Sequence, residues 1–186
     1  MKKNVLFVSS EAVPFIKTGG LADVAGSLPK YFDKEHYDVR VMLPKYLCIP
    51  EKWRSQMKYV THFYMDLAWR SQYVGVLEME YAGVHYYFID NEFYFAGPKP
   101  YGYIHEDIEK FAFFSKAALS AMPLLGFKPD IVHCHDWQTG LVPVYMKERF
   151  HDGEFFRDMK SIMTIHNLKF QGIWDLKKVK DITGVP

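Results

Sequence analysis

Three short runs concentrate the side chains able to do chemistry. The first is Lys17-Thr18-Gly19-Gly20-Leu21-Ala22-Asp23. Two glycines at a helix start let backbone N–H groups approach an anion with no Cβ in the way. The helix dipole adds partial positive charge there, and Lys17 supplies a full one. That combination suits a pyrophosphate; the alternative is a glycine turn with a solvated lysine. The run is neither a Walker A loop nor GxGxxG. Asp23 lies near the helix N-terminus, where the dipole stabilises a carboxylate, and it is equally able to orient a sugar hydroxyl. The second run is His133-Cys134-His135-Asp136-Trp137-Gln138-Thr139-Gly140. Two histidines beside an aspartate invite a metal. On a strand, however, His133 and His135 point one way and Asp136 the other, and no further clustered Cys, His or Glu completes a shell. No metal is therefore expected, and one histidine is expected to pack into the sheet, hydrogen-bonded to backbone. Asp136 at the strand end can face a cleft, N-cap the next helix, or do both. Trp137 offers a flat apolar face with an N–H donor, for a sugar ring or for the core. The third run ends a strand in His166-Asn167 and then turns at Gln171-Gly172. His166 is a candidate catalytic group or a hydrogen-bonded turn residue. Phe170 and Trp174 are expected to pack.

Positioning these runs requires strands that end just before them. Asn4–Ser9 is a continuous apolar run of the kind that forms a central parallel strand covered on both faces. The helix opened by Gly19-Gly20 repeats Leu21, Val24, Ala25 and Leu28 at helical spacing, which predicts one buried stripe. Asp38–Leu43 reads as a second strand. Alternation over Tyr59–Asp90, with turns near Ala68–Ser71 and at Ala82-Gly83, predicts an inserted hairpin running into a core strand at Val84–Ile89. Asn91–His105 reads as a loop. Asp107–Met122 reads as a helix with Phe111, Phe114, Ala118 and Ala121 on one face, closed by Pro123. Asp130–His135 and Ser161–Ile165 read as strands, with a helix near Gly140 whose Pro143 must lie in its first turn. The alternation predicts an α/β fold: a Rossmann-like, doubly wound, mostly parallel sheet with helices on both faces and an inserted β-hairpin. Ligands of such sheets bind at the carboxyl ends of the strands, which is where the three runs fall.

Composition narrows the partners. The 186 residues are 49% hydrophobic and 24% charged, and suit one domain with a sizeable core. Lysine plus arginine is 23 against 22 acidic residues, so no field of one sign exists to draw nucleic acid or an anionic membrane. The aromatic share, 17%, fits both a core and a sugar-binding surface. Cys134 sits in an apolar run and is expected to be a buried thiol. No metal-ligand spacing links it to Cys48, which points to a reducing cytoplasm. The apolar run after Lys2-Lys3 is too short for a signal-peptide core, and no stretch is long enough to span a membrane.

The runs also carry a family resemblance. KTGGLADVAGSLPK resembles the N-terminal motif of bacterial glycogen synthases and plant starch synthases. DIVHCHDWQTGLVPVY is similar to the family's HxHDWHxxL stretch, with Gln138 where the family often has histidine, so a binding role survives there and a titrating one does not. TIHNLKFQGIW resembles TxHNxxxQG. EDIEKFAFFSKAAL resembles DNxxRFxxFxxAAL more loosely: Asp107 replaces asparagine, and Lys110 lacks arginine's planar fork. No site is carried onto that helix. The resemblance implies the N-terminal, acceptor-side half of a GT-B architecture. It implies retaining transfer of glucose from ADP-glucose, or UDP-glucose, to the non-reducing end of an α-1,4-glucan, with no metal or cofactor. Lys17, Gly19 and Gly20 would lie against the donor phosphates and reacting sugar, and Asp23 on the acceptor side. Asp136, Trp137 and Gln138 would line the cleft, with His166 beside the glucosyl group and Asn167 as a hydroxyl ligand. Catalysis would rest on His166, Asp136 and Lys17. Residues 1–186 are then expected to be a truncated domain, inactive alone, lacking the C-terminal nucleotide-binding domain and prone to self-association at an unpaired sheet edge. Two rivals differ in class. A nicotinamide oxidoreductase needs a glycine fingerprint and an acidic second-strand end, and the second strand ends in Leu43-Pro44. A non-catalytic glucan-binding or regulatory module would keep the fold without turnover.

Overall fold

The computed structural model describes residues 2–186. Its strands are β1 (Lys3–Val8), β2 (Tyr37–Pro44), β3 (Lys58–Leu67), β4 (Arg70–Tyr81), β5 (Val84–Asp90), β6 (Ile131–His135) and β7 (Lys160–Thr164). They form one sheet in the order β3-β4-β5-β2-β1-β6-β7. The pairs from β5 through β2, β1 and β6 to β7 are all parallel, and β3-β4 and β4-β5 are antiparallel. The expected hairpin is therefore β3-β4, added to the edge of a five-stranded parallel core. Strand order reverses at β1, whose neighbours β2 and β6 lead away in opposite directions. The crevice above β1 and β6 is the place where such sheets bind ligands.

The α-helices are α1 (Gly20–Ser27), α2 (Glu51–Arg54), α3 (Glu92–Phe95), α4 (Ile104–Ala121), α5 (Leu141–Tyr145) and α6 (Leu176–Thr183). Leu6, Phe7 and Val8 of β1 are fully buried, as a strand covered on both faces requires. On one face, Phe7 meets Phe32 beyond α1 and is in register with Val41 and, through it, Tyr86, which packs on Phe15. On the other, Arg40 reaches the Tyr87 hydroxyl at 2.6 Å and lies 4.1 Å over the ring of Phe127, which follows α4. Helical segments therefore cover both faces.

Two helices depart from their predicted faces. In α1 the buried residues are Leu21, Ala22, Ala25 and Gly26, whereas Leu28 is 38% exposed. The helix ends at Ser27 and tightens into a 3-10 turn carrying Pro29, which carries Leu28 off the stripe. Helix α4 starts at Ile104, earlier than expected, and buries Ala112, Phe113, Ala117 and Leu119 besides the predicted face. It packs on α5 and α6 as well as on β3 and β5, so one stripe does not suffice. Pro143 is the third residue of α5, inside the first turn. Strand β7 is an edge strand whose Ile162 and Met163 are 47% and 39% exposed. Among the described residues no helix is long and apolar enough to cross a membrane.

Candidate active site

Strands β1, β6 and β7 lie side by side, so the three polar runs leave the sheet at the same edge. They surround a cleft of about 960 Å³. Gly19, Gly20, Asp136, Trp137, Gln138, His166 and Asn167 all line it. Lys17 and Asp23 stand outside the lining. Their side chains pair with each other at 2.7 Å, each 53% exposed, and Asp23 makes no helix cap. Lys17 thus flanks the cleft at Thr18 rather than reaching into it. A Cβ at Gly19 or Gly20 would meet no protein atom within 4 Å. Packing does not demand glycine there; the open space belongs to the cleft.

The glycine loop is held from below by a residue that sequence reasoning passed over. Glu11, three residues past β1, is 3% exposed. One carboxylate oxygen accepts the Thr18 hydroxyl and the Tyr101 hydroxyl, both at 2.7 Å, and the other accepts the Thr18 amide. Tyr101 also contacts the Ser10 hydroxyl at 2.7 Å. Burial and the Glu11 carboxylate push the Tyr101 phenol well above its ordinary range, so it stays a donor. Glu11 follows Ser9-Ser10 directly after the first strand, which was the available signal. Asp107, which the looser fourth motif contains, was given no site role from the sequence. It lines the cleft, 3% exposed, and accepts the Gly102 amide at 2.9 Å and the Lys110 ammonium at 2.9 Å. Lysine serves there because the bond asks for a point charge rather than a fork.

Asp136 sits at φ 58° directly beyond β6. It does not N-cap the following turn. Its Oδ1 instead accepts the backbone amides of His166 at 2.7 Å and Asn167 at 3.4 Å, tying the β7 loop to the β6 loop. Trp137 stands edge-on to Phe111 with centroids 5.6 Å apart, and a Cβ on Gly172 would lie 2.3 Å from its ring. The indole is thus wedged beside the cleft. Gln138 is 8% exposed, and its Oε1 is buried without a protein partner. Phe170 and Trp174 do not pack as expected: they are 60% and 38% exposed, and Phe170 lines the cleft.

Beneath the cleft three imidazoles stack. His133 and His135 lie 4.2 Å apart on one side of β6, as alternation requires, and His135 and His166 lie 5.2 Å apart. His135 Nδ1 meets His166 Nε2 at 2.9 Å. The expected histidine–backbone hydrogen bond does not form; His133 Nε2 meets the Thr164 hydroxyl at 2.7 Å instead. Burial, reinforced by the two neighbouring imidazoles, pulls His135 down to about 3, so the ring is neutral. Burial likewise pushes the Cys134 thiol up to about 12, which makes it a packing group.

The model of the family described as "Starch synthase catalytic domain" matches residues 4–186. A glycogen synthase of Lachnospira eligens is 78% identical over 184 residues, 99% of this chain and 38% of that relative. A glycogen synthase of Lachnoclostridium phytofermentans is 66% identical over 183 residues, 98% of this chain and 38% of that relative. Among solved structures, the catalytic domain of starch synthase IV from Arabidopsis thaliana, bound to ADP and acarbose, superposes with a TM-score of 0.81 at 26% identity. It covers 96% of this chain and 37% of that one. The chain thus spans about 38% of the length of the curated relatives it matches.

Proposed function

Because this chain belongs to the family of starch synthase catalytic domains, we propose that it is the N-terminal, acceptor-side part of a glycogen (starch) synthase. The whole enzyme transfers glucose from ADP-glucose to the non-reducing end of an α-1,4-glucan with retention. The observation that carries this reading is the convergence of the runs after β1, β6 and β7 on one cleft of about 960 Å³. That volume suits a hexose with its leaving group. The ADP and acarbose bound by the Arabidopsis structure support a nucleotide diphosphate and a glucan-like ligand here.

In this reading the N-terminus of α1 with Gly19 and Gly20 meets the leaving diphosphate through backbone amides. Lys17, held beside it by Asp23, adds positive charge as the phosphate develops negative charge. His166 lies beside the glucosyl group and Asn167 binds its hydroxyls. Asp136 holds both in place through their amides. Trp137 and Gln138 line the wall with a ring face and an unmet acceptor. Asp23 belongs to the acceptor side. The basic clamp on the nucleotide comes from a second domain that follows this one in the longer protein, and the setting is cytoplasmic. Self-association of the isolated chain through the exposed β7 edge belongs to the same reading, and light scattering reads it.

Incorporation of radiolabelled glucose into glycogen tests the proposal, with ADP-glucose and UDP-glucose offered side by side. The longer protein should incorporate label, preferring ADP-glucose, and its His166→Ala variant should lose roughly a hundredfold or more. The isolated chain should be inactive. A longer protein that binds glucan without incorporating label would make this a binding module instead.

A further inference from the structure

His135 is buried under the cleft, 1% exposed, and one of its nitrogens has no protein partner. Its ring lies 4.2 Å from His133 and 4.9 Å from Phe7. Its backbone is pinned by Thr139, whose hydroxyl accepts the His135 amide at 2.7 Å and donates to the His135 carbonyl at 2.9 Å. Turning the ring over would set a carbon against His166 and forfeit their hydrogen bond, so the ring is held with Nδ1 on His166 Nε2 at 2.9 Å and with Nε2 buried and unpartnered.

One proton must lie between those two rings, and the buried nitrogen decides its origin. If His135 carried its proton on Nε2, an N–H donor would be stranded in the interior, which folded proteins almost never tolerate. With the proton on Nδ1, only a lone pair is stranded. His135 therefore donates and His166 Nε2 accepts. A neutral His166 then holds its own proton on Nδ1, the reverse of the tautomer that predominates for histidine in water.

We propose that His135 is a positioning residue that fixes the His166 ring as its Nδ1–H tautomer, leaving that N–H as the ring's remaining polar group for a ligand oxygen. The tautomer stands on the geometry alone; its use in glucosyl transfer rests on the reading of His166 given above. The consequence is that His166 offers a donor to a sugar or phosphate oxygen and offers no lone pair to take a proton from one.

Long-range proton–nitrogen correlation spectra of the chain labelled with 15N-histidine read the tautomer of each ring, with His166→Gln assigning the His166 signals. The spectra are taken at alkaline pH, where ordinary imidazoles are neutral. The expected result is a protonated Nδ1 and an unprotonated Nε2 at His166. His135→Asn, whose amide N–H can take the place of Nδ1–H, should keep that pattern. His135→Phe, which keeps the ring but not the donor, should return His166 towards the Nε2–H form. A parent spectrum with the proton on His166 Nε2 overturns the proposal, whether or not the phenylalanine variant folds. So does a natively folded His135→Phe chain with an unchanged His166 pattern. In the longer protein, His135→Asn should retain kcat better than His135→Phe, with KM little changed. Equal losses would overturn the positioning role. A fully active His166→Ala enzyme beside the expected tautomer would instead sink the reading of His166 as a reaction-centre residue.

Discussion

Replacing Gly26 by alanine sets two rules against each other. Gly26 lies inside α1, where alanine is favoured over glycine by about 1 kcal/mol. On propensity alone the substitution stabilises. The neighbouring chain says otherwise. A Cβ on Gly26 would lie 2.3 Å from the Val13 carbonyl oxygen, 2.5 Å from Val13 Cγ2 and 2.8 Å from Val13 N. Ordinary contact begins near about 3.5 Å, so α1 and the β1 loop must part by about 1 Å. Two of the three atoms are backbone, and no rotamer change moves them. Parting also stretches the 3.0 Å bond from the Val13 amide to the Ala22 carbonyl, which ties that loop to the same helix. Overpacking costs roughly 1–3 kcal/mol and the weakened bond about 1 kcal/mol. Subtracting the helix gain leaves a net loss of about 1–3 kcal/mol. For a chain of this size that lowers the thermal midpoint by roughly 3–10 °C. Urea and thermal denaturation of parent and variant, each checked for reversibility, measure it. An alanine variant as stable as the parent, or more so, would refute the close approach of helix and loop on which the placement of Gly19, Gly20 and Glu11 depends.

Other perturbations separate stability from function. Glu11→Ala removes three hydrogen bonds to a buried carboxylate, from the Thr18 amide and from the Thr18 and Tyr101 hydroxyls, and should cost roughly 3–5 kcal/mol in urea titration. Glu11→Gln keeps an acceptor for the amide while both hydroxyls turn to accept its NH₂, and should cost about 1 kcal/mol; equal losses would contradict the network. Lys17→Ala removes an ion pair whose members are each 53% exposed, so stability should change by less than about 1 kcal/mol. Label incorporation by the longer protein should nonetheless fall sharply, and a variant with full activity would remove Lys17 from the site. Stability should also fall on acidification. His135 is held near 3 against an ordinary 6.5 by burial, so between those values the unfolded chain binds the extra proton. Its contribution is complete above the ordinary value and is lost as pH falls towards 3, at no more than about 1.4 kcal/mol per pH unit. Midpoints for parent and His135→Asn measured across that window test it, the asparagine variant showing the shallower slope.

The parallel core was legible because its signals are local. Asn4–Ser9 has no polar face to offer water, and a strand of that kind has to lie mid-sheet. Tyr59–Asp90 alternates, and alternation with an Ala82-Gly83 turn leaves little but a hairpin. The losses came where tertiary contact overrides periodicity. Leu28 fits a helical stripe, and only the 3-10 turn at Pro29 removes it from the core. Helix α4 presents apolar residues around much of its girth, and no pattern says which neighbours cover each side. Helix α6 offers a polar composition with Asp175 at its N-cap, which sequence reading left unassigned.

The site was legible only as far as its strand ends. Topology alone brings Gly19, Asp136 and His166 to one edge, because parallel strands in this order all finish on the same side. Topology is silent on which polar groups are consumed in holding the loops. Lys17 and Asp23 look like two independent ligands in the sequence and are a pair in the structure. Asp136 looks like a helix cap and is a clamp between two loops. Glu11 and Asp107 carry no assigned role in the sequence reading and are buried acceptors, each ordering a glycine-containing backbone beside the cleft. A carboxylate with several amides or hydroxyls aimed at it is already satisfied, whereas Gln138 Oε1 and His135 Nε2 are not. Unmet groups at the wall and floor of a cleft are where a ligand or a fixed tautomer has something left to supply. Such residual demand is a property of three-dimensional satisfaction, which no spacing of residue types encodes.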